Sequence, residues 1–120
     1  MVAAHDVGRA INPTLVEGQI EGGIAQGIGM ALMEEFHPGK GENLHDYLIP
    51  TFGDVPPICS ILVEDASPVG PFGAKGVGEQ ALIPTAPAIL NAIADAVGVR
   101  LPRTPATPDR VRAAILARGR

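Results

Sequence analysis

Tryptophan is missing from the chain, tyrosine occurs once and phenylalanine three times. A core must therefore be assembled from aliphatic side chains and alanine, without aromatic stacking. Cysteine is nearly absent as well. The lone Cys59 cannot close a disulfide within the chain, so nothing points to an oxidising compartment. Its place in an apolar run reads as a small core residue rather than a nucleophile. Met1–Asp6 has neither the basic segment nor the apolar run that directs secretion. Residues 14–33 are apolar, but Glu17, Gln19, Glu21 and Gln26 interrupt them too often for a membrane span. These absences predict a cytoplasmic protein that does not enter membranes.

Several chemistries lack their residues. His5, His37 and His45 stand at no metal-ligand spacing to one another or to Cys59. No Ser-His-Asp or Cys-His arrangement has a supporting motif. Gly70 to Gly76 contains Lys75 but not the Gly-Lys-Ser/Thr ending that holds phosphate and Mg²⁺. Gly76-Val77-Gly78-Glu79-Gln80-Ala81 fits the letters of a dinucleotide loop, with Asp95 downstream. The preceding apolar strand ends too early, however, at Glu64. Glu79 would also fill the turn that should receive a pyrophosphate, so this reading is rejected.

What the chain has is backbone punctuation: fifteen Gly and twelve Pro in 120 residues, enough for one small, turn-rich domain. Charge is unevenly divided. Residues 1–99 carry three basic and twelve acidic side chains, whereas the last 21 carry six Arg against Asp109. The acidic body argues against a nucleic-acid surface. The Arg-rich end is either a solvated helix face or a contact for an acidic partner.

Val2-Ala3-Ala4 and Val7 read as the end of a buried strand, closed by a turn at Asp6-Val7-Gly8-Arg9, and so abrupt an opening predicts that an earlier part is missing. Asn12-Pro13 signals a helix start. From there to about residue 36, Val16, Ile20, Ile24, Ile28 and Leu32 mark one helical edge. Beside them runs a small stripe, Gly23, Gly27 and Ala31. Each interior Gly costs about 1 kcal/mol relative to Ala, so packing against another backbone or a ligand must hold this helix. Residues 42–49 suggest a short strand, and 58–64 the best strand in the chain. A second helix is expected over 79–97, with Thr85 as N-cap and Gly98 just past its end, and a third over 108–118. The fold class is α+β.

The stretch Gly73-Ala74-Lys75-Gly76-Val77-Gly78-Glu79 is the most informative. Three glycines suit a loop pressed against something, and they end on a carboxylate backed by Ala81, Leu82 and Ile83. Desolvation there would suit Glu79 to proton transfer; a solvated Glu after a flexible turn is the plainer reading.

Taken in order, Asp6-Val7-Gly8-Arg9-Ala10-Ile11-Asn12-Pro13, the block Gly18 to Gly29, Ala74-Lys75-Gly76-Val77-Gly78-Glu79 and the ending Thr104-Pro105-Ala106-Thr107-Pro108 are specific as a set. They resemble the C-terminal part of the molybdenum-binding subunit of the xanthine dehydrogenase and aldehyde oxidase family. The resemblance covers essentially the whole chain. It implies a molybdenum–molybdopterin cofactor and hydroxylation of an N-heterocycle or aldehyde with water as the oxygen source. It implies Glu79 as the catalytic base and Gln19 and Val77 as cofactor contacts, with the small stripe letting backbone pass close to pterin or neighbouring loops.

The family's subunit is several times longer than this chain. Residues 1–120 are thus expected to be a segment of a molybdopterin-binding domain, incomplete at its N-terminus and inactive alone. The implied partners are a larger molybdenum-subunit chain or a missing N-terminal portion of the same chain, iron–sulfur and flavin subunits, and a small-molecule substrate. The alternative is a non-catalytic remnant or interaction module that retains the fold.

Overall fold

The computed structural model describes residues 1–118. Strand β1 (Val2–Asp6) pairs in parallel with β2 (Cys59–Val63), Val2 opposite Cys59 and Asp6 opposite Val63. Parallel strands need a crossover, and helix α1 (Pro13–Leu32) supplies it. Helices α2 (Leu82–Val97) and α3 (Pro108–Arg118) complete an α+β arrangement.

Helix α1 starts where the Asn-Pro signal places it. The Asn12 side chain accepts from the Leu15 N–H at 3.2 Å, and Pro13 fills the first helical position, where no amide donor is needed. Its apolar edge forms the core. Ile20, Ile24 and Ile28 are buried with Ala81, and Val16, Leu32, Ala3, Ile58, Leu62 and Val77 pack around them. The helix ends at Leu32 rather than near residue 36, because the Gly29 carbonyl accepts from both Met33 N–H and Glu34 N–H and closes the last turn. Glu35 then turns away to meet Arg110 of α3 at 2.5 Å, and the guanidinium holds its carboxyl below the usual carboxylate range.

The small stripe faces α2. A Cβ added at Gly23 would lie 2.8 Å from the Ala81 Cβ, and one at Gly27 would lie 2.5 Å from the Thr85 Cβ. Positions 23 and 27 thus receive positions 81 and 85, one turn apart on each helix, so the stripe is explained by helix packing. Thr85 is consequently no N-cap: it lies inside α2, buried, its hydroxyl donating to the Ala81 carbonyl at 2.7 Å. The helix begins at Leu82, three residues later than the apolar pattern suggests, and closes on Gly98 in the left-handed conformation (φ 68°), as expected.

Other expectations change. Residues 42–49 form turns around Asn43, whose side chain accepts from the His45 N–H, and no strand. Cys59 is exposed at the start of β2, since alternation turns Cys59, Ile61 and Val63 to the open face of the sheet. The same alternation leaves Val2 and Ala4 exposed, so the strand is not buried by this chain.

The radius of gyration is 17.2 Å, against about 14 Å for a self-contained globule of this length. The surface, 8133 Å², exceeds the roughly 6,100 Å² typical of this mass. Phe52 stands 99% exposed. Much apolar surface is left for other polypeptide to cover.

If Gly27 is the contact point of the two helices, Gly27→Ala should destabilise the chain by about 1–3 kcal/mol through overpacking. Gly22→Ala meets only open space and should stabilise it by up to about 1 kcal/mol. Urea denaturation of both variants checks this; equal effects would contradict the packing assignment.

Candidate functional site

The site grows out of the end of β1. Gly8 adopts φ 59° and bridges to Ala74, and a side chain there would run into the Gly73 carbonyl and Lys75. Glycine at this position lets the 73–75 segment lie directly on the strand end. Three backbone bonds fasten it: Arg9 N–H to Gly73 O at 2.9 Å, Ser67 N–H to the same oxygen at 2.9 Å, and Lys75 N–H to Val7 O at 3.0 Å.

Side chains add an ionic anchor. Lys75 Nζ donates to Asp6 Oδ2 at 2.6 Å and lies 3.5 Å from Asp65 Oδ2. Asp6 Oδ1 also accepts from the Gly8 N–H at 3.0 Å. The Lys75 hydrogen bond, then the Gly8 amide, hold the Asp6 carboxyl below its ordinary value, and Asp6 in turn raises Lys75.

At the far end the turn is held by its descent into α2. Leu82 N–H donates to the Glu79 carbonyl at 3.0 Å, and Ala81 sits in the core against α1. Between these ends, among the described residues, the backbone has no hydrogen bond to hold it, and only the Val77 side chain packs on the core. Among the described residues, the amides of Gly76, Val77, Gly78 and Glu79 have no hydrogen-bond acceptor. Neither Gly76 nor Gly78 takes a left-handed φ, and a Cβ on either would meet nothing within 4 Å. Glycine there keeps space open rather than relieving strain.

Gly78 borders a cavity of about 380 Å³ that is also lined by Val7, Arg9, Asn12, Gln19, Lys75 and Val77, with Ile11, Leu15 and Val16 as its apolar wall. Gln19 and Val77, from opposite halves of the sequence, therefore share one wall. Gln19 is exposed, whereas Val77 is half-buried against the isoleucine core. Glu79 does not line the cavity. It follows Gly78 and is exposed, so the chain by itself provides none of the expected desolvation. Arg9, which sequence reasoning did not single out, has no ion pair among the described residues; its place in the Asp6–Pro13 block was the available signal. His5, His37 and His45 join no cluster able to hold a metal among the described residues, and no described helix is long and apolar enough to cross a membrane.

A family model of the molybdopterin cofactor-binding domain matches residues 1–56. The chain is 43% identical over 113 residues to the xanthine dehydrogenase molybdenum-binding subunit of Escherichia coli O157:H7, covering 89% of this chain and 15% of that one. It is 43% identical over 117 residues to the nicotine 6-hydroxylase large subunit of Paenarthrobacter nicotinovorans, covering 91% and 14%. The fold superposes on aldehyde oxidoreductase from Desulfovibrio gigas with a TM-score of 0.92 at 41% identity, covering 96% and 13%. The chain belongs to the xanthine dehydrogenase and aldehyde oxidase family. It spans only 13–15% of the length of these relatives.

The ionic anchor within this family segment has a defined pH response. Asp6, with its lowered folded pKa, contributes stability above its ordinary value, lost as pH falls through the depressed one. Lys75, with its raised pKa, contributes fully below its ordinary value and loses that only as pH rises through the raised one. The melting-temperature difference between the unaltered chain and Asp6→Asn should therefore be constant near neutrality and shrink below roughly pH 4. A difference that persists undiminished in acid would contradict the anchor.

Proposed function

We propose that residues 1–120 form the C-terminal segment of the molybdopterin-binding domain of a molybdenum hydroxylase, the larger part of the domain lying outside these residues, in a larger chain or a missing N-terminal portion. In this reading Gln19 and Val77 contact the cofactor and Glu79 is the catalytic base. The observation that carries it is the cavity wall itself. Gln19, Arg9, Val77 and Gly78 line one cavity, and among the described residues the Val77 and Gly78 amides have no hydrogen-bond acceptor and Arg9 no ion pair.

Molybdopterin is anionic and rich in oxygen acceptors, so this donor set suits it. Arg9 would meet negative charge, the Gln19 amide can both donate and accept, and the Val77 region would present backbone N–H groups. When bound, the cofactor supplies the two-electron redox centre and the water-derived oxygen for hydroxylation. The chain's part is positional and protolytic. The turn holds Glu79 one residue beyond the cavity wall, where a carboxylate oxygen can accept a proton from the oxygen delivered to the substrate carbon. Completing polypeptide over the exposed apolar surface would exclude water from that carboxylate and strengthen its interactions. Relatives named for nicotine, quinoline and aldehydes support an N-heterocycle or aldehyde as substrate. Iron–sulfur and flavin partners and a cytoplasmic setting belong to the same proposal.

The alternative, a non-catalytic module retaining the fold, draws on the exposure of Glu79 in the isolated chain. In the assembled enzyme, Glu79→Gln should leave molybdenum content unchanged and lower kcat by at least about 100-fold. Near-normal turnover would remove Glu79 from the role. Gly78→Val should leave the chain's own melting temperature nearly unchanged, because a Cβ there meets nothing within 4 Å, while lowering the molybdopterin content of the purified assembly. Full cofactor content in that variant would place the cofactor elsewhere.

A further inference from the structure

We infer that Lys75 is a positioning residue for the turn Gly76–Glu79, a role that rests on the cofactor-facing reading above. The turn has two anchorages, and between them only the Val77 side chain packs on the core. One is the Glu79 carbonyl and Ala81 at the head of α2. The other is Lys75.

Its ammonium ties together points far apart in the chain: Asp6, the last residue of β1, at 2.6 Å and Asp65, two residues past β2, at 3.5 Å. Its own amide donates to Val7 O at 3.0 Å. Side chain and backbone thus fix Lys75 to the ends of both parallel strands, and Val77 follows two residues later. Gly76, Val77 and Gly78 receive no backbone bond at their amides among the described residues, and open space surrounds the Cα of both glycines. The path of the turn's backbone beside the cavity it shares with Gln19 therefore depends on its ends and on the packing of Val77.

Lys75 also separates Asp6 from Asp65. Removing the ammonium while keeping the alkyl stem leaves two carboxylates without the cation that joins them. The groups are partly solvated, with side-chain exposures of 32% for Lys75, 43% for Asp6 and 83% for Asp65. Such pairs contribute little to global stability. The consequence should be local, a turn that wanders rather than a fold that fails, and a misplacement of about 1 Å is enough to cost up to 100-fold in rate.

The test uses the assembled enzyme with Lys75→Met, Lys75→Arg and Glu79→Gln. Amide exchange of the peptide spanning residues 73–80 in the cofactor-free assembly should accelerate in Lys75→Met and return towards the unaltered rate in Lys75→Arg, with exchange elsewhere unchanged. With cofactor loaded, kcat of Lys75→Met should fall by about 10–100-fold and KM by much less. Unaltered exchange in the turn, or faster exchange spread through the whole molecule, overturns the positioning role. Should Lys75→Met not fold, Asp65→Asn serves, with the same direction of change expected and an unaltered turn overturning the inference. The exchange readout needs no catalysis, so a failure of Glu79→Gln to impair turnover would sink the catalytic-base reading while leaving the anchor to be judged on exchange alone.

Discussion

Close contact between α1 and α2 is the constraint on which the structure depends. Gly23 and Gly27 admit Ala81 and Thr85 to distances that no side chain would allow. That contact fixes the head of α2, and the head of α2 fixes one end of the glycine turn. The isoleucine edge formed by Ile20, Ile24 and Ile28 closes the same joint from the side and carries Val77 against it. Each interior glycine weakens α1 as an isolated helix, so the helix persists because its neighbour occupies the space the missing side chains leave.

A second constraint acts at the other end of the turn. Gly8 brings the 73–75 segment onto the end of β1, and Lys75 joins the ends of the two strands. The turn is thus suspended between a packed, apolar joint and a partly solvated, ionic one. The first is insensitive to pH and salt and sets the fold. The second contributes little to stability but selects where the turn lies. Such a division suits a site whose remaining walls come from elsewhere, because Val77 and Gly78 beside the cavity carry no backbone hydrogen bonds among the described residues.

Sequence legibility follows physical origin. The core edge from Val16 to Leu32, the start of α1 at Asn12-Pro13, strand β2 and all of α3 were readable, because local periodicity and capping chemistry determine them. What could not be read depended on distant partners. A small stripe announces close packing without naming what packs, and here it is α2 rather than a cofactor. Thr85 has the composition of an N-cap, yet burial against Gly27 draws it into the helix interior. Cys59 looked like core because its neighbours are apolar, but strand alternation turns it to the open face. For the candidate site, Gln19 and Val77 emerged from a family resemblance, and the fold brings both to one cavity wall. Arg9 was only part of a block, and Lys75 was weighed solely as a phosphate-loop lysine, since their significance lies in which groups they face and which they lack.

The central claim is that this wall faces molybdopterin. The most direct measurement is the distance from the Gln19 amide and the Val77 backbone nitrogen to the nearest cofactor atom in a structure of the assembled, cofactor-loaded protein. The account predicts hydrogen-bond distances, about 2.7–3.5 Å, for at least one of them, with the Glu79 carboxylate turned to the same group. A cofactor seated elsewhere, with residues 76–79 packed on polypeptide and Glu79 in bulk water, would contradict it.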